Sequence, residues 1–321
     1  MVIRLAHIEV GVSDLERARE FYVGVLGFVE AQRTADALHL RASHDFDVWS
    51  LKLTRAEGPG MFSMGLRVSD PSELESLANL HERLGLQHVA LPAGFEPGRG
   101  EGLRVQTASG HVVDFHHEID EIAVYGDDGV PSLPMRRPGA LVGVPPLTLD
   151  HVNLRVLDLT ESVAYWADKE LGFSVSEQAN DANGRIWRAW MRRRRQTHEI
   201  ALGEHEHAGM HHFAYTVSDA TSLIRTSDLL ADAGYAERQE LVVGRHGATN
   251  ALTMYFLDPD GNRIELFAND YRRDLDRPTI VWDFESYLAR GALAWGHPNF
   301  KQPEVKPLLD VPWPVATTAG S

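Results

Sequence analysis

Residues 7–28 read HIEVGVSDLERAREFYVGVLGF, and residues 151–173 read HVNLRVLDLTESVAYWADKELGF. Each segment begins with His, alternates apolar and polar residues over a short strand, and turns at an Asp-Leu pair. Each then continues into a helical pattern with an aromatic pair and ends at Leu-Gly-Phe, where the glycine suits a helix C-terminus. Because all these features occur in register, the two segments predict one strand–helix unit that is used twice.

The repeat continues downstream of both segments. MFSMGLRVSD at 61–70 corresponds to MHHFAYTVSD at 210–219, and a helical pattern follows each of these strands. LRVQTASGHVVDFHHE at 103–118 and LTMYFLDPDGNRIELF at 252–267 then predict hairpins about Ser-Gly and Asp-Gly turns. The pattern therefore predicts an α+β chain of two tandem domains, each built from two βαβββ modules.

The domain boundaries follow from composition. The stretch PSLPMRRPGALVGVPP at 131–146 is rich in proline and glycine, as linkers are. We therefore predict an N-terminal domain over 1–135 and a second domain over 146–270. The Pro-rich tail at 271–321 is predicted to cover the second domain.

The composition excludes several classes of function. The 321 residues carry a net charge of −15, which argues against nucleic acid as a partner. Cysteine is absent, so disulfides, cysteine nucleophiles and thiolate metal sites are excluded. The first residues show no secretion signal and no apolar run has the length of a membrane span, so we expect a cytoplasmic protein with no membrane partner.

The repeat also lets one half serve as a control for the other. A single strand histidine is more often a core or surface residue than a metal ligand, but here two histidines and a carboxylate occupy three different strands. That combination is the facial triad that leaves coordination positions open for substrate. In the first half the middle position is a serine, so we expect any metal site there to be absent or very weak. The aligned pairs are His151 with His7, His212 with Ser63, and Glu265 with Asp114.

The histidine-rich run GEHEHAGMHHFAY at 203–215 is interpreted as containing one ligand rather than a cluster. Strand alternation predicts that His212 faces the site and that His211 lies on the other strand face, where it lines at most the back of the site and is not a ligand. His205 and His207 fall in the acidic loop before the strand and are predicted to be solvated.

Taken in order, six segments resemble the type I extradiol ring-cleaving dioxygenases of the vicinal oxygen chelate superfamily, and most closely the homoprotocatechuate 2,3-dioxygenase branch. The resemblance extends over nearly the whole chain. It implies that the sheet of each domain curves into a barrel-like shape, around the site in the second domain, and that the first domain is non-catalytic. The segments are LDHVN (149–153), RAWMRRRRQTHEIAL (188–202), MHHFAY (210–215), GRHGATNA (244–251), YFLDPDGNRIELFANDY (255–271) and RPTIVW (277–282).

The resemblance implies an activity and a metal. His151, His212 and Glu265 would hold Fe(II), with Mn(II) as the alternative, and O2 would be the co-substrate. A catechol ring would open beside its two hydroxylated carbons to give a muconic semialdehyde, in the catabolism of aromatic compounds. The family commonly forms homotetramers, so we expect one here.

The same resemblance implies roles for further residues. His198 matches the acid–base residue, a task that suits an imidazole titrating near neutrality. Without the resemblance, His198 would be interpreted as a polar strand residue after Arg192–Arg195, a run that we interpret as a solvated basic face. Tyr255 would likewise be interpreted as a half-buried strand aromatic. Two more residues match groups that hydrogen-bond the catechol oxygens, and two match pocket residues. These are Tyr255 and His246 for the oxygens, and Asn153 and Trp190 for the pocket.

One position departs from the branch and bears on the substrate. Leu241 stands where the branch has an arginine that binds the substrate carboxylate, and Arg290 is the candidate for a second such arginine. An apolar residue in place of a carboxylate-binding arginine predicts a catechol with a less polar substituent. Two other classes of protein stay open at this point: a metal-dependent isomerase or epimerase of the glyoxalase kind, and a metal-free binding protein of the drug-sequestering kind.

Overall fold

The computed structural model describes residues 1–125, 129–131, 142–300 and 305–314. Most of the predicted linker at 131–146 lies outside these ranges, so the domain boundaries at 135 and 146 stay predictions. Among the described residues, no helix has both the length and the apolar character that crossing a membrane requires.

The first half forms one eight-stranded sheet with the order β2-β3-β4-β1-β5-β8-β7-β6. Two helices, α1 (Leu15–Arg19, continued by a π-helical turn over Glu20–Val25) and α2 (Ser72–Leu84), follow the two central strands. The predicted pair of βαβββ modules is confirmed, and β1 and β5 join them in antiparallel fashion. The strands are β1 (Val2–Val12), β2 (Val29–Arg33), β3 (Ala37–Arg41), β4 (Leu51–Arg55), β5 (Met61–Val68), β6 (His88–Leu91), β7 (Gly102–Gln106) and β8 (Val112–His116).

The second half repeats this order as β14-β15-β16-β13-β9-β12-β11-β10 and adds β17 at the edge. Its helices α3 (Leu159–Trp166) and α4 (Ala220–Asp232) follow β9 and β13, the strands that correspond to β1 and β5. The strands are β9 (Leu149–Val156), β10 (Ser174–Asn180), β11 (Ile186–Arg192), β12 (Ile200–Glu204), β13 (Gly209–Thr216), β14 (Gln239–Arg245), β15 (Leu252–Leu257), β16 (Arg263–Ala268) and β17 (Ile280–Trp282).

The same local signals begin and end the first helical segment of each half. Asp14 and Asp158 have extended backbone, and each side chain accepts backbone N–H groups of the first helical turn. Gly27 and Gly172, from the two Leu-Gly-Phe sequences, have φ of +87° and +66°, the left-handed conformation in which glycine costs least. The repeat therefore extends to the capping residues.

The two halves share one hydrophobic core. Phe28 of the first half packs edge-on against Tyr215 of β13, with ring centroids 4.9 Å apart. The hydroxyl of Tyr22 donates a hydrogen bond of 2.9 Å to the buried Asp258 carboxylate in the second half. The aromatic residues near the end of the first helix thus fix one half against the other.

The tail crosses the second half and then reaches the first. Its strand β17 pairs with β10, and a short helix α5 (Phe284–Ser286) leads into a π-helical turn over Tyr287–Gly291. Further on, Lys306 exchanges backbone hydrogen bonds with Met210 of β13. Met61 of β5 does the same with residues 307 and 309, so the tail contacts both sheets.

Candidate metal centre

Three adjacent strands bring the three predicted ligands together. β9, β13 and β16 are neighbours in the sheet, and they carry His151, His212 and Glu265 respectively. Ala214 of β13 is paired with His151 on one side and with Glu265 on the other. All three side chains are buried, and within the described ranges they are the only group of His, Asp or Glu residues that meets the geometry of a metal site.

The separations of the three donor atoms fit an octahedral cation. His151 Nε2 lies 3.1 Å from His212 Nε2 and 3.1 Å from Glu265 Oε2, and His212 Nε2 lies 3.0 Å from Glu265 Oε2. Ligands about 2.1 Å from an ion and at right angles are about 3.0 Å apart, whereas tetrahedral ligands are about 3.4 Å apart. The residues therefore fit one face of an octahedron, which leaves the opposite face to substrate.

The charges around these atoms suit a cation as well. Burial opposes protonation of His151, but its hydrogen bonds to Asp150 and Glu265 outweigh burial and raise the pKa of His151 to about 9. Burial by itself would raise the pKa of Glu265. His212 and the other histidines that hydrogen-bond to this carboxylate nevertheless hold its pKa well below the usual range. A buried carboxylate that keeps its charge requires a positive partner, and a divalent ion can replace the proton of His151.

His198 lies directly beside the ligand set without belonging to it. Its ring centroid is 4.0 Å from that of His151, and its Nδ1 is 2.9 Å from the Thr197 hydroxyl. Burial, with the nearby His151 charge, lowers the pKa of His198 well below 6.5. The pKa is thus lower than the near-neutral value expected from the sequence. The imidazole is neutral at pH 7, and Nε2 is the nitrogen that can exchange a proton.

Tyr255 and His246 form a pair on another side of the ligands. The Tyr255 hydroxyl is 3.0 Å from His246 Nε2, which lies 3.6 Å from Glu265 Oε1. Burial, with the Glu265 charge, raises the pKa of Tyr255 well above 10, so the phenol keeps its proton. The Thr253 hydroxyl donates to the same Glu265 oxygen and helps to orient the carboxylate.

A cavity of about 610 Å³ adjoins the ligand set. Asn153, Trp190 and Leu241 line it, as do residues of the tail between Tyr287 and Phe300. Arg290 is exposed and is not among the lining residues, so the structure does not bring this predicted side chain to the site. The contribution of these tail residues could not be predicted from the sequence, because nothing in their pattern shows where the tail crosses the sheet.

The predicted orientation of His211 is wrong. The pairing of β13 with β9 shifts register between Met210 and His212, which marks a β-bulge at His211. As a result His211 and His212 both line the cavity, and their Nδ1 atoms are 2.6 Å apart. Strand alternation holds from His212 onward, with Phe213 in the core.

The interpretation of Arg192–Arg195 as a solvated face is wrong for Arg192 and Arg193, whereas Arg194 and Arg195 are exposed. Arg192 is buried and donates hydrogen bonds to two backbone carbonyls at 273 and 274. Arg193 donates to the Val2 carbonyl, and Arg194 pairs with the buried Glu199. The run therefore joins the first strand, the second sheet and the tail.

In the first half, the guanidinium group of Arg104 lies beside the carboxylate that corresponds to Glu265 of the proposed ligand set. Asp114, the counterpart of Glu265, accepts two hydrogen bonds of 2.7 Å from Arg104. Arg104 is the register partner of Asp114, just as Tyr255 is the register partner of Glu265. A cation of the chain itself thus neutralises the carboxylate of the first half.

The chain is similar to known proteins over most of its length. The model of the Glyoxalase/Bleomycin resistance protein/Dioxygenase superfamily matches residues 4–115 and 148–266. The chain is 30% identical over 298 residues to a metapyrocatechase of Geobacillus stearothermophilus, covering 90% of this chain and 88% of the relative. It is 26% identical over 317 residues to a manganese-dependent 2,3-dihydroxybiphenyl 1,2-dioxygenase of Geobacillus genomosp. 3, covering 95% of this chain and 96% of the relative.

Solved structures show the same likeness. Homoprotocatechuate 2,3-dioxygenase from Arthrobacter globiformis superposes with a TM-score of 0.86 at 30% identity, covering 96% of this chain and 93% of that one. The Brevibacterium fuscum enzyme, in an anaerobic complex with 3,4-dihydroxyphenylacetate, superposes with a TM-score of 0.84 at 30% identity, covering 92% and 89%. The fold expected from the sequence is confirmed.

Proposed function

Because the chain belongs to the Glyoxalase/Bleomycin resistance protein/Dioxygenase superfamily, we propose that it cleaves the ring of a substituted catechol in the extradiol position with O2. The relatives named above are extradiol dioxygenases. The observation that carries the proposal is the facial arrangement of His151, His212 and Glu265 beside a cavity of catechol-binding size. The product would be a muconic semialdehyde.

We propose Fe(II) as the metal, with Mn(II) as the alternative that the manganese-dependent relative supports. Two imidazoles and one carboxylate suit either ion, so the ligand set does not discriminate between them. The bound ion would supply adjacent positions for both catechol oxygens and for O2.

The other residues would control protons and orientation. The Tyr255 phenol would donate a hydrogen bond to a catechol oxygen, because burial keeps it protonated. His246 Nε2, 3.0 Å from that phenol, would help to bind the same end of the substrate. His198 Nε2 would take up and return a proton during ring opening, while the Thr197 hydroxyl at Nδ1 holds the ring in place.

The lining of the cavity supports a substituent less polar than a carboxylate. Leu241 is buried in the wall where the resembling branch has an arginine. Arginines that do line the cavity are engaged by other side chains: Arg263 pairs with Glu240, and Arg155 donates to Asn153 Oδ1. Arg188 lies over the Trp187 ring at 4.2 Å.

Incubation of the Fe(II)-loaded protein with a panel of catechols tests the proposal. The panel contains catechol, 4-methylcatechol, 2,3-dihydroxybiphenyl and homoprotocatechuate, and the yellow ring-opened product is followed by its absorbance. We expect O2-dependent turnover with a higher kcat/KM for the alkyl or aryl catechols. A strong preference for homoprotocatechuate would contradict the proposed substituent.

An anaerobic arm separates ring cleavage from the other classes of function. Turnover that persists without O2 would indicate an isomerase or epimerase. A protein that retains less than one ion per chain after reconstitution would be a binding protein instead. We also propose a homotetramer, which light scattering after gel filtration checks.

A further inference from the structure

Glu177 of β10 is a buried carboxylate that the proposed chemistry does not use. Its side chain is 1% exposed and accepts hydrogen bonds from three donors. The Thr249 backbone N–H and the Tyr271 hydroxyl donate to Oε1 over 2.8 and 2.5 Å, and the Trp282 indole N–H donates to Oε2 over 2.7 Å. Three donors converging on one buried carboxylate make a strong connection, because charge-assisted hydrogen bonds are stronger than neutral ones.

The three donors belong to segments that are distant in sequence from Glu177. Thr249 is in the loop between β14 and β15, Tyr271 follows β16, and Trp282 is the last residue of β17. The carboxylate thus joins β10 to the tail, which includes the edge strand β17, and to a loop that borders the cavity.

The loop at 246–251 has a backbone conformation that needs support. Thr249 and Asn250 have φ of +63° and +56°, in the left-handed region. That region is unfavourable for a β-branched residue such as threonine, and surrounding contacts must impose it. The bond from the Thr249 N–H to Glu177 is such a contact.

The supported loop carries His246. The Gly247 and Ala248 N–H groups both donate to the Gly291 carbonyl of the tail, over 3.0 and 2.9 Å. His246 Nδ1 lies 2.5 Å from the Ala292 carbonyl. The position of His246 therefore depends on the loop and on the tail, and Glu177 binds both.

We propose that Glu177 is a positioning residue: it locks the loop 246–251 and the tail strand β17 to the sheet and thereby aims His246 at the substrate cavity. The part that concerns His246 rests on the proposed function. The part that concerns the loop and the tail does not, so each part has its own measurement.

Hydrogen–deuterium exchange tests the lock without any substrate. In Glu177→Ala we expect faster exchange in peptides covering 246–251 and 280–282, and unchanged exchange in peptides covering β9 and β13. Glu9→Ala is the matched control, since Glu9 is a buried glutamate with hydrogen-bonded partners in the first sheet. Unchanged exchange at 246–251 in Glu177→Ala, or the same increase in Glu9→Ala, would overturn the proposal.

A double-mutant cycle tests the link to His246. Glu177→Ala should lower kcat/KM on the order of 100-fold through misplacement of His246. In a His246→Ala background the same substitution should change kcat/KM less than about threefold, because the residue it acts through is gone. An equal loss in both backgrounds would mean a general structural role and would overturn the proposal.

Two provisions keep the test decisive. If Glu177→Ala does not fold, Trp282→Phe removes one donor alone and enters the same cycle, with the same two readings. If the wild-type protein cleaves no catechol, the proposed function has failed. The cycle is then measured as anaerobic Kd values for 4-nitrocatechol, read from its visible absorption on the metal-loaded protein.

Discussion

At the scale of single residues, each of the two histidines proposed as metal ligands is held by a neighbour. Asp150 Oδ2 lies 3.0 Å from His151 Nδ1, and His211 Nδ1 lies 2.6 Å from His212 Nδ1. Such partners fix the ring orientation, so their removal weakens metal binding without abolishing it. This separates the ligands from the residues that support them.

The adjacent histidines of β13 provide the first prediction. His212→Ala should lose stoichiometric metal because it removes a ligand. His211→Ala should keep one ion per chain, with affinity reduced by about 10- to 100-fold. Competition with a chromogenic chelator measures both affinities, and comparable metal loss in the two variants would contradict the assignment of His212.

The neutral imidazole of His198 provides the second prediction. His198→Ala should lower kcat by about 10²- to 10⁴-fold, the usual contribution of a positioned acid–base group. Metal content should equal that of the wild type, since His198 is outside the ligand set. A full ring-cleavage rate in His198→Ala would remove His198 from the mechanism.

Sequence reasoning could find the three residues that the structure brings together as proposed ligands, but not the residues around them. The repeat singles out His151, His212 and Glu265, because the aligned residues of the first half do not make up a set of two histidines and a carboxylate. The orientation of His211 could not be predicted, since a bulge changes the alternation locally. Glu177 could not be singled out, because its partners follow it by 72 to 105 positions.

At the scale of elements, the tail closes the cavity through backbone contacts. The turn after β17 accepts hydrogen bonds from Gly247 and Ala248, and Arg245 exchanges backbone bonds with residues 294 and 295. Glycine at 247 permits this approach, because a Cβ there would overlap the Arg290 carbonyl. The contact between the loop and the tail therefore depends on residue 247 being a glycine, which has no side chain.

This contact provides the third prediction. Gly247→Ala should displace the tail, so that limited proteolysis cuts within 283–300 faster than in the wild type. Gly58→Ala is the control, because a Cβ at 58 would meet nothing within 4 Å. Equal cleavage of all three proteins would mean that the loop does not retain the tail.

The strands, hairpins and helices could be predicted because alternation, turn dipeptides and caps are local signals. The roles of Arg192 and Arg193 could not be predicted, because their partners are backbone carbonyls at 2, 273 and 274. From its neighbours in sequence alone, a run of four arginines is predicted to be solvated.

At the scale of the whole molecule, the two halves meet through a shared core and a few buried polar contacts. One of these joins His111, just before β8, to β13, where its Nε2 lies 2.9 Å from the Gly209 carbonyl. Burial lowers the pKa of His111 to about 4, although this hydrogen bond opposes the shift.

That shift makes stability depend on pH, and it provides the fourth prediction. The unfolded chain takes up a proton at His111 below about pH 6.5, whereas the folded chain does so only near pH 4. The contribution of His111 to the free energy of unfolding is thus complete above pH 6.5. It is lost on acidification to pH 4, which lowers the free energy of unfolding by about 3 kcal/mol. In His111→Gln, the free energy of unfolding in urea should fall less between pH 7 and pH 4.5.

His207→Gln is the control for this experiment, because His207 is exposed. All three proteins are compared at the same metal concentration, so that the residues around the proposed ion contribute alike to each pH profile. A pH slope in His111→Gln equal to that of the wild type would show that His111 does not contribute to the acid sensitivity.

The Arg104–Asp114 pair gives the two halves different requirements for reaching their folded state. The first sheet carries its cation in its own sequence, so it is complete as soon as the chain has folded. The second sheet brings an anionic carboxylate and two imidazoles together, and under the proposed function it takes its ion from solution. We therefore expect loss of metal to loosen β13 and β16 while β5 and β8 hold their shape. The metal-free chain would then keep a folded first half, against which the second half can bind its ion again.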